Sequence, residues 1–292
     1  MPPLTTPFNE QGEVDYHALA RNVQRYNSTG LSGYVALGSN GEAVHLTSEE
    51  RFRVIETIKK SATSAHVVIA GVNEFSSRAA IEAARKTQDA GADAVLVITP
   101  YFYKSRMTSA ALSAFFTEVA DYSPLPVLIY NVPQNTGVTI EASTIASLGS
   151  HQNIAGVKDS AGNFGAIAET IRLSPPDFAV MSGNGGILYP ALAMGASGAV
   201  LAVACAAPRA CVELYDAVLG GDHAKARDLQ RRIGPLSQAV TAGFGVPGLK
   251  AALDLAGFEG RFTRLPLTAV SEADLRILST IMRESRLFPE LD

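Results

Sequence analysis

The run Ile154-Ala155-Gly156-Val157 is made of small and β-branched residues and ends on Lys158, after which Asp159-Ser160-Ala161-Gly162-Asn163 breaks it with polar, turn-forming residues. Such a run fits a strand buried on both faces of a parallel sheet, so the lysine stands where a buried strand stops. Partial desolvation in such a place disfavours an ammonium relative to the neutral amine. A neutral amine condenses with carbonyls to an imine, whose electron-withdrawing nitrogen lets a neighbouring carbon lose a proton or a carbon–carbon bond break through an enamine. A 2-oxo acid is the substrate class that suits this chemistry. A lysine after an apolar run can also snorkel into water, so the reading depends on the residues around it.

Three further groups lie where they can assist. Tyr130 closes the apolar run Pro126-Val127-Leu128-Ile129 and is the best candidate to shuttle a proton, although alone it reads equally well as a core aromatic. Gly38-Ser39-Asn40-Gly41 follows another apolar run and offers backbone N–H groups and two short polar side chains, a cradle for a carboxylate. It lacks the glycine spacing of a nucleotide-binding loop. The five histidines are scattered without a zinc-binding grouping, and no Ser/His/Asp set, Cys/His pair or paired carboxylates stand at the strand ends. The expected mechanism uses neither metal nor cofactor.

The elements that must position these groups alternate along the chain. Strand-like runs at Leu4–Thr6, Gly33–Leu37, His66–Gly71, Ala94–Ile98, Pro126–Tyr130, Ile154–Lys158, Phe178–Met181 and Gly198–Ala202 are separated by helical patterns. The first is short, with prolines on both sides. Thr47-Ser48-Glu49-Glu50 reads as a capping box opening one of the helices. Eight strands with helical crossovers predict an α/β protein, a (β/α)8 TIM barrel, with an open doubly wound sheet as the alternative. In a barrel the residues just after each strand share one rim: Ser39 and Asn40, Thr99 to Tyr103, Tyr130 and Asn131, Lys158 to Ser160, Gly183 to Gly186, and Val200. Beyond residue 207 only helices are predicted. This divides the chain into a barrel, 1–207, and a last barrel helix with a C-terminal helical extension, 208–292.

Composition narrows the function class. At 292 residues, 47% hydrophobic and 18% charged with a net charge of −4, the chain suits a soluble globular protein long enough for one large α/β domain, and it has no basic excess for nucleic acid. The longest apolar stretch, 198–207, is too short to span a bilayer. The first residues carry neither a secretory nor a transit pattern, so a cytoplasmic location is expected. Cys205 and Cys211 lack the spacing of a redox or metal motif.

Three segments in register, Gly38-Ser39-Asn40-Gly41-Glu42, Tyr130-Asn131-Val132-Pro133 through Thr136-Gly137, and Gly156-Val157-Lys158-Asp159-Ser160, resemble the dihydrodipicolinate synthase/N-acetylneuraminate lyase family of class I aldolases. The resemblance runs from Pro3 into the helical tail. It implies a pyruvate Schiff base on Lys158, Tyr130 as the acid/base group, Ser39 and Asn40 on the pyruvyl carboxylate, and Gly183 and Val200 lining the pocket. Ser160 and Asn135 are further substrate-binding candidates, and a homo-oligomer, dimer or tetramer, is implied. Ala239-Val240-Thr241 with Phe244 to Lys250 is most similar to the branch that cleaves 4-hydroxy-2-oxoglutarate or 2-keto-3-deoxy-L-galactonate. Two departures favour that branch over dihydrodipicolinate synthesis. Asn135 stands where synthases carry an arginine for the second substrate's carboxylate, and Phe102 stands where they carry a relay tyrosine from a neighbouring subunit. Arg106 is a candidate for an acidic distal group, and Gln134 and Asn135 suit sugar hydroxyls.

Overall fold

The computed structural model describes residues 1–288; positions 289–292 of the expected extension lie outside the described residues. Seven parallel strands pair in sequence order: β1 (Gly33–Ala36), β2 (Val67–Val72), β3 (Ala94–Ile98), β4 (Val127–Asn131), β5 (Ile154–Asp159), β6 (Ala179–Ser182) and β7 (Gly198–Ala199). The ring is closed by the first residues of the chain. Val35 N donates to Pro2 O and Leu4 N to Val35 O on one side, while Leu201 N donates to Met1 O on the other. Pro3 makes a parallel bridge to Val35. The fold is therefore the expected TIM-barrel type, with two corrections. The first run pairs through Met1–Leu4 rather than Leu4–Thr6, as a bridge and not a strand, because prolines at 2, 3 and 7 remove the donors a longer ladder needs. The last run keeps strand form only at Gly198–Ala199, after which Val203–Ala206 is helical.

Two apolar layers hold the ring. Inside, Val35, Ile69, Leu96, Leu128 and Met181 pack together, capped toward one end by Tyr130, Val132 and Val200. Outside, the alternate strand residues Val68, Val95, Val97, Val127, Ile129, Val157 and Val180 meet the helices. Burying each such aliphatic side chain contributes roughly 1.5–3 kcal/mol before entropy is counted. The side chains alternate between the two layers, so each strand can carry a functional residue inward only at its end.

Helix caps follow the sequence. Asp15 accepts from Ala18 N, and the Thr47/Glu50 box is formed in both directions, Thr47 N to Glu50 Oε2 at 2.8 Å and Glu50 N to Thr47 Oγ1 at 3.3 Å. After the sheet, Pro208–Leu219 packs on His223–Gln238, and Glu272–Ser285 packs on both His223–Gln238 and Gly245–Leu255. Between the two middle helices, Ala239–Gly243 is a π-helical turn in which Phe244 N reaches Ala239 O at 2.7 Å. Among the described residues no helix is long and apolar enough to cross a membrane.

Candidate active site

β5 carries Lys158 in register with Tyr130 of β4 and Met181 of β6. The lysine is 4% exposed, and its Nζ lies 4.2 Å from the centroid of the Tyr130 ring. Strand pairing thus sets the amine against the phenol before any loop contributes. Ser39 Oγ stands 3.4 Å from Tyr130 Oη, and Asn135 Nδ2 donates to Ser39 Oγ at 3.1 Å. Burial pushes the Tyr130 phenol up, but the Lys158 ammonium and hydrogen bonding with Ser39, Lys158 and Ser160 outweigh it, leaving the phenol below its ordinary value. A tyrosine so placed gives up its proton more readily.

The strand continues one residue past Lys158, and Asp159 points away from the amine. Its carboxylate accepts from Asn131 Nδ2 at 2.6 Å and Ala161 N at 2.9 Å, while Asn131 Oδ1 accepts from Ile140 N. Burial raises its pKa, opposed by those two donors. Asn131 and Asp159 tie the ends of β4 and β5 together. Ser160 O accepts from Gln134 Nε2, and a Cβ on Gly183 would meet Ser160 Oγ at 2.0 Å. Only glycine lets the turn after β6 approach Ser160 so closely.

These groups open into one cavity of about 590 Å³. Of the residues expected at the site, Lys158, Tyr130, Ser39, Asn40, Asn135, Ser160, Gly183 and Val200 all line it. Others on the expected rim do not. Phe102 and Tyr103 are 73% and 70% exposed, and Arg106 is also exposed, in a short helical turn at Lys104–Arg106 outside the cavity. The far wall was less evident in the sequence. Asn184 fell within the expected glycine turn without a role, and Ser237 was missed, because it sits in a helix that follows the sheet. The π-helical turn aligns Ser237, Val240, Thr241 and Ala242 along that wall, followed by Gly245 and Val246. Such turns recur at functional sites, but nothing in residue type marks one in advance. Among the described residues lining the cavity, Lys158 is the one basic side chain and none is acidic.

The comparisons agree with the geometry. The model of the "Dihydrodipicolinate synthetase family" matches residues 1–285. A 4-hydroxy-tetrahydrodipicolinate synthase of Methanothrix thermoacetophila is 37% identical over 97% of this chain and 96% of its own, and one of Agrobacterium fabrum is 38% identical over 93% and 92%. Among solved structures, a dihydrodipicolinate synthase from Bacillus anthracis superposes with a TM-score of 0.92 at 29% identity, covering 97% of this chain and 96% of that one. A prophage protein of the same family from E. coli K12, solved with pyruvate, gives 0.91 at 29%, covering 98% and 97%. With the match spanning nearly its whole length, the chain belongs to the dihydrodipicolinate synthetase family of Schiff-base aldolases, the carbon–carbon lyases.

Proposed function

We propose that the protein cleaves a 4-hydroxy-2-oxo acid to pyruvate and an aldehyde, with a neutral 2-keto-3-deoxy sugar acid chain favoured over 4-hydroxy-2-oxoglutarate. The observation that carries this is the cavity lining beyond Lys158. Gln134, Asn135, Asn184, Ser237 and Thr241 offer amides and hydroxyls, and no second cation is present among the described lining residues to pair with a distal carboxylate. An amide cannot replace the bidentate guanidinium–carboxylate pair.

In this reading Lys158 Nζ attacks C2, and Tyr130 gives its proton to the carbinolamine hydroxyl, which leaves as water to give the protonated imine and a Tyr130 phenolate. Tyr130 takes the C4 hydroxyl proton, the C3–C4 bond breaks, and the aldehyde leaves with the enamine remaining on Lys158. Protonation at C3 and hydrolysis then return pyruvate and the free amine. Ser39 and Asn40 hold the carboxylate of the keto acid, with Ser160, Gly183 and Val200 shaping its pocket. The pyruvate bound to the E. coli relative supports the keto-acid half of this scheme. Residues 1–207 serve as the barrel, and 208 onward as its last helix and the extension that closes the far side.

The second reading is condensation of pyruvate with aspartate semialdehyde. The curated relatives' names favour it more than they favour the specific sugar-acid aldolase. A pyruvate-release assay across 2-keto-3-deoxy hexonates and 4-hydroxy-2-oxoglutarate, run beside the condensation assay, decides between them. Faster condensation than cleavage overturns the lyase proposal. Borohydride with pyruvate is expected to add a reduced three-carbon adduct to the peptide holding Lys158 in either case.

The protein also acts as a homo-oligomer in this proposal. Phe75, Phe102 and Tyr103 form an exposed aromatic cluster with edge-on contacts at 6.4 and 5.1 Å, apolar surface that a partner would cover. F75R/F102R is expected to shift the mass measured by light scattering to that of one chain. An unchanged mass would place the interface elsewhere.

A further inference from the structure

The turn that presents Ser39 and Asn40 is held in an uncommon shape. It is flanked by two non-glycine residues in the left-handed region, Leu37 at φ 54° and Glu42 at φ 52°. Such backbone persists only where the surroundings over-determine it. Glu42 supplies the restraint. Its side chain is fully buried, and Oε1 has the Lys250 ammonium at 2.6 Å as its partner and no other. Oε2 accepts from Arg264 N at 3.1 Å and stands 3.2 Å from His45 Nδ1. Lys250 commits its remaining protons to Thr6 O and Phe262 O, and Thr6 Oγ1 donates in turn to Gly41 O at 2.7 Å. The lysine belongs to the helix Gly245–Leu255, whose first residues, Gly245 and Val246, line the cavity opposite the turn.

We infer that Glu42 and Lys250 are positioning residues whose buried ion pair clamps the Ser39–Gly41 turn to the helix forming the far wall, fixing the keto-acid end of the site against its aldehyde end. The inference rests on the reading of Ser39 and Asn40 as the carboxylate's partners. Neither residue touches substrate. The pair acts on where the turn's hydroxyl and amide sit, and those groups bind the carboxylate only while they stay within hydrogen-bond distance and angle of it. A pair serving stability alone would leave that geometry unchanged in any variant that folds.

The test is a titration of the full chain with pyruvate in the presence of borohydride, reading the fraction of Lys158 modified by mass spectrometry, together with kcat at saturating substrate. E42Q/K250M removes both charges at once and so leaves no lone buried ion. Its half-saturating pyruvate concentration is expected to rise about tenfold with kcat within about threefold of wild type, the pattern of lost uniform binding. A folded double variant with the wild-type half-saturation overturns the inference. Should the double variant not fold, T6V decides. It keeps shape and removes the Thr6–Gly41 bond, with a rise of about threefold expected and no change counting against the clamp. Absence of any trapping in the wild type would instead refute the Schiff-base reading, whereas the variant-to-wild-type ratio reports only on the clamp.

Discussion

Among the described residues two lysines are buried, and they differ in what surrounds the nitrogen. Each lies over an aromatic ring, Lys158 at 4.2 Å from the Tyr130 centroid and Lys250 at 4.5 Å from that of Phe8. Lys250 is saturated, with Glu42, Thr6 O and Phe262 O around it, and it does not line the cavity that Lys158 faces. Burial lowers its pKa to about 8, with the Glu42 carboxylate opposing the shift. Lys158 has no carboxylate within ion-pair distance among the described residues, and it faces a cavity lined by hydroxyls and amides. Burial beside an aromatic face is therefore common to a structural lysine and a nucleophile. The distinction lies in whether the ammonium's protons are already committed and whether space for a carbonyl adjoins it.

The largest expected effect tests that distinction directly. K158R keeps a positive charge and removes the imine-forming amine. Turnover should fall by at least about 10³-fold, with no borohydride adduct and little change in unfolding midpoint. K250M should behave in reverse. It strands Glu42 as an uncompensated buried charge at a cost of about 3–5 kcal/mol, read from urea unfolding, while Lys158 of the folded fraction is still trapped at saturating pyruvate. An unfolded K158R, or a folded K250M that no longer forms the adduct, would break the comparison.

The two rings sharpen it at a smaller scale. Y130F removes the proton-transferring hydroxyl and should lower kcat by about 10²–10⁴-fold while leaving adduct formation detectable. Phe8 is fully buried, and Lys250 Nζ and Arg264 Cζ each lie 4.5 Å from its centroid. F8L should cost about 1–2 kcal/mol of stability through lost packing and cation–π contact, with kcat unchanged. Equal kinetic losses in Y130F and F8L would show that the rings are not separable in role.

Much of the first lysine's setting is legible in the sequence, and little of the second's. A strand buried in a parallel sheet must be apolar throughout, so a lysine or tyrosine at its end is conspicuous, and strand register then brings Tyr130 and Lys158 together without further information. Gly183 and the Ser39–Gly41 turn are visible for the same reason, as polar or flexible residues just beyond apolar runs. Ring closure by Met1–Leu4 is obscured because prolines mask strand character. The far wall depends on a π-helical turn that shifts helix phase after Gln238, and helical periodicity cannot anticipate such a shift. Glu42 and Lys250 are each unremarkable in their own segments. Only the tertiary fold reveals that a glutamate after a turn and a lysine in a late helix form one buried pair.

The smallest expected effect lies at the edge of the Lys250 cluster. Arg264 binds Glu50 through both guanidinium ends, at 2.7 and 2.8 Å, and also donates to Gly12 O and His45 O. Hydrogen bonding from Arg264, with smaller help from the Thr47 backbone and side chain, holds the Glu50 carboxyl at about 2 against the opposing effect of burial. A carboxyl whose folded pKa lies below its unfolded value binds more protons when unfolded, so its contribution is present above about pH 4.5 and is lost as the pH falls toward 2. E50Q cannot titrate. Its urea midpoint should therefore fall less between pH 5 and pH 3 than that of the wild type, by a modest margin because the pair is partly solvated. Pyruvate trapping at neutral pH should be unchanged in E50Q, since the carboxylate fastens the extension to the N-terminal loops and does not reach the turn at Ser39. An acid slope identical in E50Q and wild type would mean that the acid sensitivity arises elsewhere, with Glu259, whose carboxyl the hydrogen bond from Arg21 holds at about 2, as the first group to examine.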